Sequence, residues 1–312
     1  MDNKGAGQRG AALLIVLLIT GLATVLAVSL VSSQQVQIRR TANVLAAGQA
    51  YWLALGVESF AARVLTSDLQ DGKTDHLGEG WAMGLFPTQV EGGVVSGYLE
   101  DLQGRFNLNN LTAKNADFQA HSRKQFQRLL SLCNLDVELV QAVEDWVDED
   151  IEPRFPAGAE DGIYGGLTPP YRAANGEMAS PTELRLVNGL DAAGFACLEP
   201  LVCVLPDTTY VNVNTASPMI LASLTEEDKF SLADAEALVA KRGDEGYESV
   251  AVFLQEAGLV GAGVQAQFLA VASSYFVARS RVELGNTSML LHSVLHRKGQ
   301  GVEVIRRSIG VD

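Results

Sequence analysis

The chain has 312 residues, 19% charged and 47% apolar, which excludes a disordered protein and leaves room for two or three compact units. Its 23 Lys and Arg against 37 Asp and Glu give a formal charge of −14, a field that repels nucleic-acid phosphate and anionic membrane surfaces. Three cysteines are too few for a disulfide scaffold and form no zinc-binding cluster; either a Cys197–Cys203 bridge or three buried thiols, Cys133 included, fits them.

Lys4 and Arg9 precede residues 11–31, which run without a charge. At 1.5 Å per residue this stretch covers roughly 31 Å, the thickness of a bilayer's hydrocarbon core and too long for a secretory h-region of about 7–15 residues. One reading is an uncleaved signal anchor with its basic end in the cytoplasm. The other rests on Gln8-Arg9-Gly10 followed by Ala11-Ala12-Leu13-Leu14-Ile15, which resembles the leader junction of type IV pilins and pseudopilins. The resemblance implies that a dedicated prepilin peptidase cuts after Gly10 and methylates Ala11. Loss of Asp2, Lys4 and Arg9 removes a net +1, so the mature chain carries −15. The fifth mature residue of that family is usually glutamate; here it is Ile15.

Past Val31 a proline-free helical pattern runs to about Leu65, with Leu45, Trp52 and Leu55 at helical spacing and Gln49, Glu58 and Arg63 between them. A single helix is expected, its first half (11–31) in lipid and its outer half (32–66) amphipathic and in need of a partner surface. A Gly/Asp-rich stretch then leads to a predicted strand, Gly93–Leu102, turned at Gln103-Gly104. At the other end, Tyr275–Leu284, Ser288–His296 and Val302–Ser308 alternate and are separated by Gly285-Asn286 and Lys298-Gly299-Gln300-Gly301, an antiparallel meander.

Between these strands the pattern is helical: Phe126–Leu132, Asp136–Val147, Pro181–Val187, Pro218–Leu224, Ala233–Lys241, Val250–Ala257 and Gly263–Ala272, with only Leu201–Leu205 strand-like. Asn107-Leu-Asn109-Asn110 and Asn212-Val-Asn214-Thr215 each read as a strand end followed by a helix N-cap. The second, with the helices after it, resembles the start of a helix-hairpin-helix unit. The connector Thr225–Ser231 is acidic and lacks the glycines whose bare amides hold phosphate, so the packing is expected without the phosphate site.

The densest chemistry is Asp145-Trp146-Val147-Asp148-Glu149-Asp150-Ile151-Glu152, followed by Glu160-Asp161: seven carboxylates in seventeen residues. Packed into a folded loop they repel one another, and calcium, which takes six to eight oxygens, is the natural counterion; a solvated acidic loop is the alternative. The spacing lacks the glycine and terminal glutamate of a twelve-residue calcium loop. The four histidines accompany no nucleophile motif, and GxSxG, GxGxxG and the P-loop are absent from the sequence.

Taken in order, the Gly10 junction, Ile15, Gly104–Leu111, Asp145-Trp146…Asp148-x-Asp150…Gly158-Ala-Glu160-Asp161…Tyr164 and Val211–Ala216 resemble protein K of the general (type II) secretion pathway, the large minor pseudopilin, along essentially the whole chain. The resemblance implies an α+β fold of type IV pilin kind, a long N-terminal helix packed on an antiparallel sheet, with a large all-helical, SAM-like insertion. It divides the chain into a leader (1–10), the two helix halves, a sheet domain (67–109 with 273–312), and insertion parts at 110–208 and 209–272. It further implies Ca2+ in the insertion, with Asp145, Asp148, Asp150, Glu160 and Asp161 as ligands. The implied place is a single-pass position in the inner membrane with a periplasmic body, at the tip of a pseudopilus beside minor pseudopilins I and J, serving export of folded proteins rather than catalysis. A DNA-uptake or adhesive pilus component and a membrane-tethered hydrolase are the competing classes; the first is opposed by the chain's charge, and the second lacks a nucleophile.

Overall fold

A computed structural model describes residues 6–226, 228–299 and 301–310. Helix α1 (Ala6–Asp71) spans 66 residues. Its residues 11–45 are exposed throughout, and it is the one described helix long and apolar enough to cross a membrane. It begins before the Gly10–Ala11 junction and runs past the expected Leu65; residues 1–5 of the expected leader lie outside the described residues.

From Ala50 onward α1 lies on a sheet. Ala50, Ala54, Val57, Ala61 and Leu65 recur every three or four residues and are buried, so one helical stripe faces the strands. The sheet has the order β1-β2-β7-β8-β9, with β1 (Leu85–Val90), β2 (Gly93–Asp101), β7 (Tyr275–Leu284), β8 (Thr287–Lys298) and β9 (Gly301–Gly310), antiparallel throughout. Small helix residues allow close approach. At Gly97 of β2 a Cβ would stand 2.6 Å from Val57 Cγ1, so only glycine lets the helix settle there. Trp81, in a 3-10 turn before β1, packs edge-on against Phe276 at 5.2 Å beneath the helix. Buried Glu58 accepts two hydrogen bonds from Arg307 of β9, at 2.7 and 2.8 Å, which fastens helix to sheet.

Strand β1 is not among the expected strands; its Pro87 is tolerated on a sheet edge, where the register also shifts between Leu85 and Thr88.

The helical insertion leaves the sheet after β2 and returns at β7, and these two strands are neighbours, Asp101 opposite Phe276. Inside it run α2 (Ala116–Leu132), α3 (Leu139–Val147), α4 (Asp161–Tyr164), α5 (Ala192–Leu198), α6 (Pro218–Ala222), α7 (Leu232–Lys241) and α8 (Val250–Glu256). Two parallel strand pairs close it, β3 (Phe106–Asn107) with β4 (Val202–Cys203) and β5 (Val211–Asn212) with β6 (Leu269–Ala270). One buried cluster runs from Phe106 and Leu111 through Phe126, Trp146 and Leu198 to Ile220 and Phe253, so both stretches share a core.

Several local expectations differ from what forms. α2 starts at Ala116 because Asn115 caps it, accepting from the Phe118 amide at 3.0 Å. Gly263–Ala272 is no helix: Gly261 and Gly263 adopt φ of 80° and 83°, breaking the run before a short 3-10 turn and β6. The bridge is not Cys197–Cys203 but Cys133–Cys197, tying the end of α2 to α5 across 64 residues of sequence, while Cys203 is buried and free. Burial pushes the Cys203 thiol up to about 12. Asn107 caps the 3-10 turn Leu108–Thr112 and does more, accepting from the Leu205 amide at 3.0 Å and donating to the Asp207 carbonyl at 3.0 Å; in the second motif Ser217 caps α6, and Asn214 instead exchanges hydrogen bonds with the Tyr247 backbone.

Where insertion, sheet and helix meet, polar groups interlock. The buried Asp101 carboxylate accepts from Ser273 Oγ (2.6 Å), Asn212 Nδ2 (3.0 Å) and the Gln103 amide (2.7 Å). Asn212 also donates to the Asp75 carbonyl at 3.1 Å, and Arg297 of β8 pairs with Asp75 and with Asp68 at the end of α1. Burial outweighs those donors and pushes the Asp101 carboxyl above the usual range.

Candidate metal centre in the acidic loop

Helix α3 is buried all round from Val140 to Val147, with Val140, Val143, Trp146 and Val147 in the core, and its Trp146 Nε1 donates to Glu183 Oε2 at 3.1 Å while its ring stands 5.3 Å from that of Tyr164. The helix stops at Asp148, whose backbone turns extended, and the chain doubles back over its own last turn. Gly158 permits that return: a Cβ there would lie 2.2 Å from Asp145 Oδ2 and 2.4 Å from the Arg154 amide.

The five expected ligands separate into two sets. Asp148, Asp150 and Glu160 bring one oxygen each within 4.8 Å of one another. Asp145 and Asp161 are outside that group. Asp145, fully buried, accepts from Arg154 Nη1 at 2.9 Å and from the Arg154 amide at 3.1 Å, and the same guanidinium pairs with Asp148 and approaches Glu144 at 3.3 Å. Asp161 accepts from the Ala173 amide at 3.1 Å and faces Arg172 at 3.8 Å from a half-exposed position. Arg154 is thus an internal counterion, visible in the sequence as the lone cation among seven carboxylates yet not read that way.

The charge balance remains incomplete. Both carboxylate oxygens of Glu160 and one of Asp148 are buried without a hydrogen-bond partner. Burial first, then Asp145 and Asp148, raise the Glu160 carboxyl above its usual range; burial also raises that of Asp148, against the pull of Arg154. Asn175, which the sequence reading missed, donates to the Asp150 carbonyl at 2.9 Å from a backbone with φ of 46°, and its own Oδ1 is a further buried oxygen without a partner. A group of oxygens, free of nitrogen and sulfur, suits a hard divalent cation rather than zinc or copper.

A second carboxylate group, Asp68, Asp75 and Glu79, has similar spacing, but each of its carboxylates has a hydrogen-bond donor. Arg297 holds the first two, and Glu79 accepts from Trp81 Nε1 at 2.6 Å and from the His76 amide at 3.0 Å. Gly10, Ala11 and Ile15 all lie on α1, Ile15 exposed on its uncovered part.

A membrane-length helix laid on an antiparallel sheet, with a helical unit spliced between two of its strands, defines a pilin-like subunit carrying a helical insertion. Two profiles described as "Type II secretion system (T2SS), protein K" match residues 104–207 and 211–272, and the Type II secretion system protein K of Pseudomonas aeruginosa is 39% identical over 97% of this chain and 93% of its own length. The chain belongs to the type II secretion system protein K family. The protein of that name from Klebsiella pneumoniae is 36% identical, over 97% of both chains. Among solved structures, a chain from the GspK-GspI-GspJ complex of the enterotoxigenic Escherichia coli Type 2 Secretion System superposes with a TM-score of 0.77 at 29% identity, covering 88% of this chain and all of that one.

Proposed function

We propose that this chain is a minor pseudopilin of a type II secretion apparatus, a structural subunit that stands with pseudopilins I and J at the tip of the pseudopilus and helps initiate its assembly for export of folded proteins. The observation that carries this is α1: residues 11–45 are exposed throughout, while from Ala50 onward the helix packs on the sheet. Such a helix needs lipid before assembly and neighbouring helices after it. Similarity to a chain solved in a GspK-GspI-GspJ complex supports I and J as those neighbours.

In this reading prepilin peptidase cuts between Gly10 and Ala11 and methylates the new terminus, residues 11–31 cross the inner membrane, and the body lies in the periplasm. Ile15 supports the topmost place. A carboxylate there would cost on the order of 2.5–3.5 kcal/mol in the membrane and, with no subunit above, would meet no amino terminus to offset it. The insertion's bulk likewise obstructs stacking above. Calcium bound by Asp148, Asp150 and Glu160, with Asn175 beside them, would neutralise the oxygens that Arg154 leaves unpaired.

Cysteine cross-linking from α1 positions between Val36 and Trp52 to the equivalent helices of the other pseudopilins tests the placement. Partners on one side only, at one copy per fibre, are expected; links between two copies of this chain along the shaft would overturn it. Mass spectrometry of the parent and of Gly10→Leu from a host with the peptidase tests processing, and equal masses after correction for the substitution would refute it.

A further inference from the structure

The acidic loop carries an apolar feature as well as its carboxylates. The Arg154 guanidinium is drawn inward to Glu144, Asp145 and Asp148, and the next residue, Phe155, is thrown outward. Phe155 is 93% exposed, more than any other large apolar side chain among the described residues, the membrane-length part of α1 included. Phenylalanine is ordinarily among the most buried residue types. Pro153 and Pro156 restrict the backbone on either side of the ring, so a stiff strap holds it out. Glu149 and Glu152 are exposed on the same loop and form no ion pair among the described residues.

We propose that Phe155 and Glu152 dock an arginine side chain from an exposed segment of a second protein, the guanidinium stacking on the ring face and pairing with the Glu152 carboxylate. A bare ring attracts a cation to its face, arginine more often than lysine, and a guanidinium is also a fork that fits a carboxylate. Three residues separate Phe155 from Glu152, at most roughly 11 Å between Cα atoms, a gap that a glutamate arm and a stacked guanidinium close between them. The surroundings are negative by a wide margin. From Glu144 to Asp161 there are eight carboxylates, all among the described residues, against Arg154 and the two cations that reach them from outside, Arg123 and Arg172. The balance is −5, and −3 with one divalent cation bound, so the sign holds with or without a metal. This field repels a nucleic acid, an anionic membrane and the equally acidic body of a second copy. A purely apolar pocket in a partner would accept the ring but leave Glu149 and Glu152 facing no counter-charge. This inference rests on the surface of the loop alone, and neither on calcium nor on the place of the chain in a fibre.

The test uses the full chain in detergent at low salt with calcium in excess, and a fluorine-labelled Gly-Arg-Gly-Arg-Gly peptide, capped at both ends and followed by fluorine NMR. Losing one exposed stacking contact and one exposed ion pair corresponds to a combined loss of about 3- to 30-fold in Kd. Phe155→Ala with Glu152→Gln is therefore expected to weaken binding by that factor at unchanged melting temperature. Should that variant melt lower, Glu152→Gln alone, at an exposed side chain, should still weaken binding by about 1.4- to 5-fold. Phe155→Tyr should retain affinity, Phe155→Leu should lose the stacking share, and Glu236→Gln, exposed on α7, should leave it unaltered. A lysine peptide should bind more weakly and a citrulline peptide, uncharged but of the same shape, not at all. Unchanged affinity in the glutamine variants, full affinity in Phe155→Leu, an equal loss in Glu236→Gln, equal binding of the lysine or citrulline peptide, or no binding by the parent would each overturn the proposal.

Discussion

Replacing Cys133 and Cys197 by alanine removes a cross-link that spans 64 residues of sequence between the end of α2 and α5. Closing a loop of that size restricts the unfolded chain by about 4 kcal/mol in the chain-entropy account. For a folded unit of this size each kcal/mol shifts the melting point by roughly 2–4 °C, so the variant should melt roughly 8–16 °C lower. Both cysteines are only partly buried, so a reductant should produce the same fall in the parent and none in the variant, Cys203 being buried and unpaired. Calorimetry on a soluble fragment beginning near residue 46 is the assay. A start at residue 67 would discard Ala50, Ala54, Val57, Ala61 and Leu65, the stripe on which the sheet packs. A fall of less than about 3 °C with the bridge proven intact in the parent would refute the loop-closure reasoning, and a peptide map placing Cys203 in the bridge would refute the pairing.

Calcium should raise the melting point of the same fragment, with a stabilisation of about 2.7 kcal/mol at a hundredfold excess over Kd, and Asp148→Ala with Asp150→Ala should abolish the response. Arg307→Ala should cost roughly 3 kcal/mol, because it leaves the buried Glu58 carboxylate without its two donors, and Glu58→Gln in that background should recover part of the loss, as denaturant titration would reveal. Burial and then Glu79 raise the Asp68 carboxyl to about 6, so the folded state holds its proton more tightly than the unfolded one. Asp68 thus costs stability as pH rises from about 4 to about 6, with the cost fully present above; in paired melts across that range, the parent should lose stability relative to Asp68→Asn.

What the sequence disclosed depended on how local the cause was. The long helix follows from an uncharged run and a helical stripe with no proline, and the meander from alternation and glycine turns, each readable within a few residues. The Cys133–Cys197 pairing depends on where α2 and α5 pack, which no spacing encodes. The acidic loop was visible as charge density, but the division among its carboxylates was not: Arg154 claims Asp145, and Asn175 arrives from another loop. The Asn motifs were half read. The cap at Asn107 is local, whereas the bonds of Asn107 to Leu205 and of Asn214 to Tyr247 span 98 and 33 residues. Strand β1 carries Pro87 at a sheet edge, where the rule that keeps proline out of central strands does not apply.

The insertion departs from Asp101 and comes back beside it at Phe276. A tight hairpin turn would join those two positions without moving any other strand, so the sheet's register is indifferent to what the loop between them contains. Such a site of entry lets a subunit acquire a bulky head while keeping the shaft geometry that its fellow subunits must match. The cost falls on the seam: Asp101, satisfied by Asn212 and Ser273 from the head, would be a buried carboxylate with most of its donors gone once the head is removed. The head is therefore detachable in topology but not in chemistry, and excising it cleanly would require changing Asp101 as well.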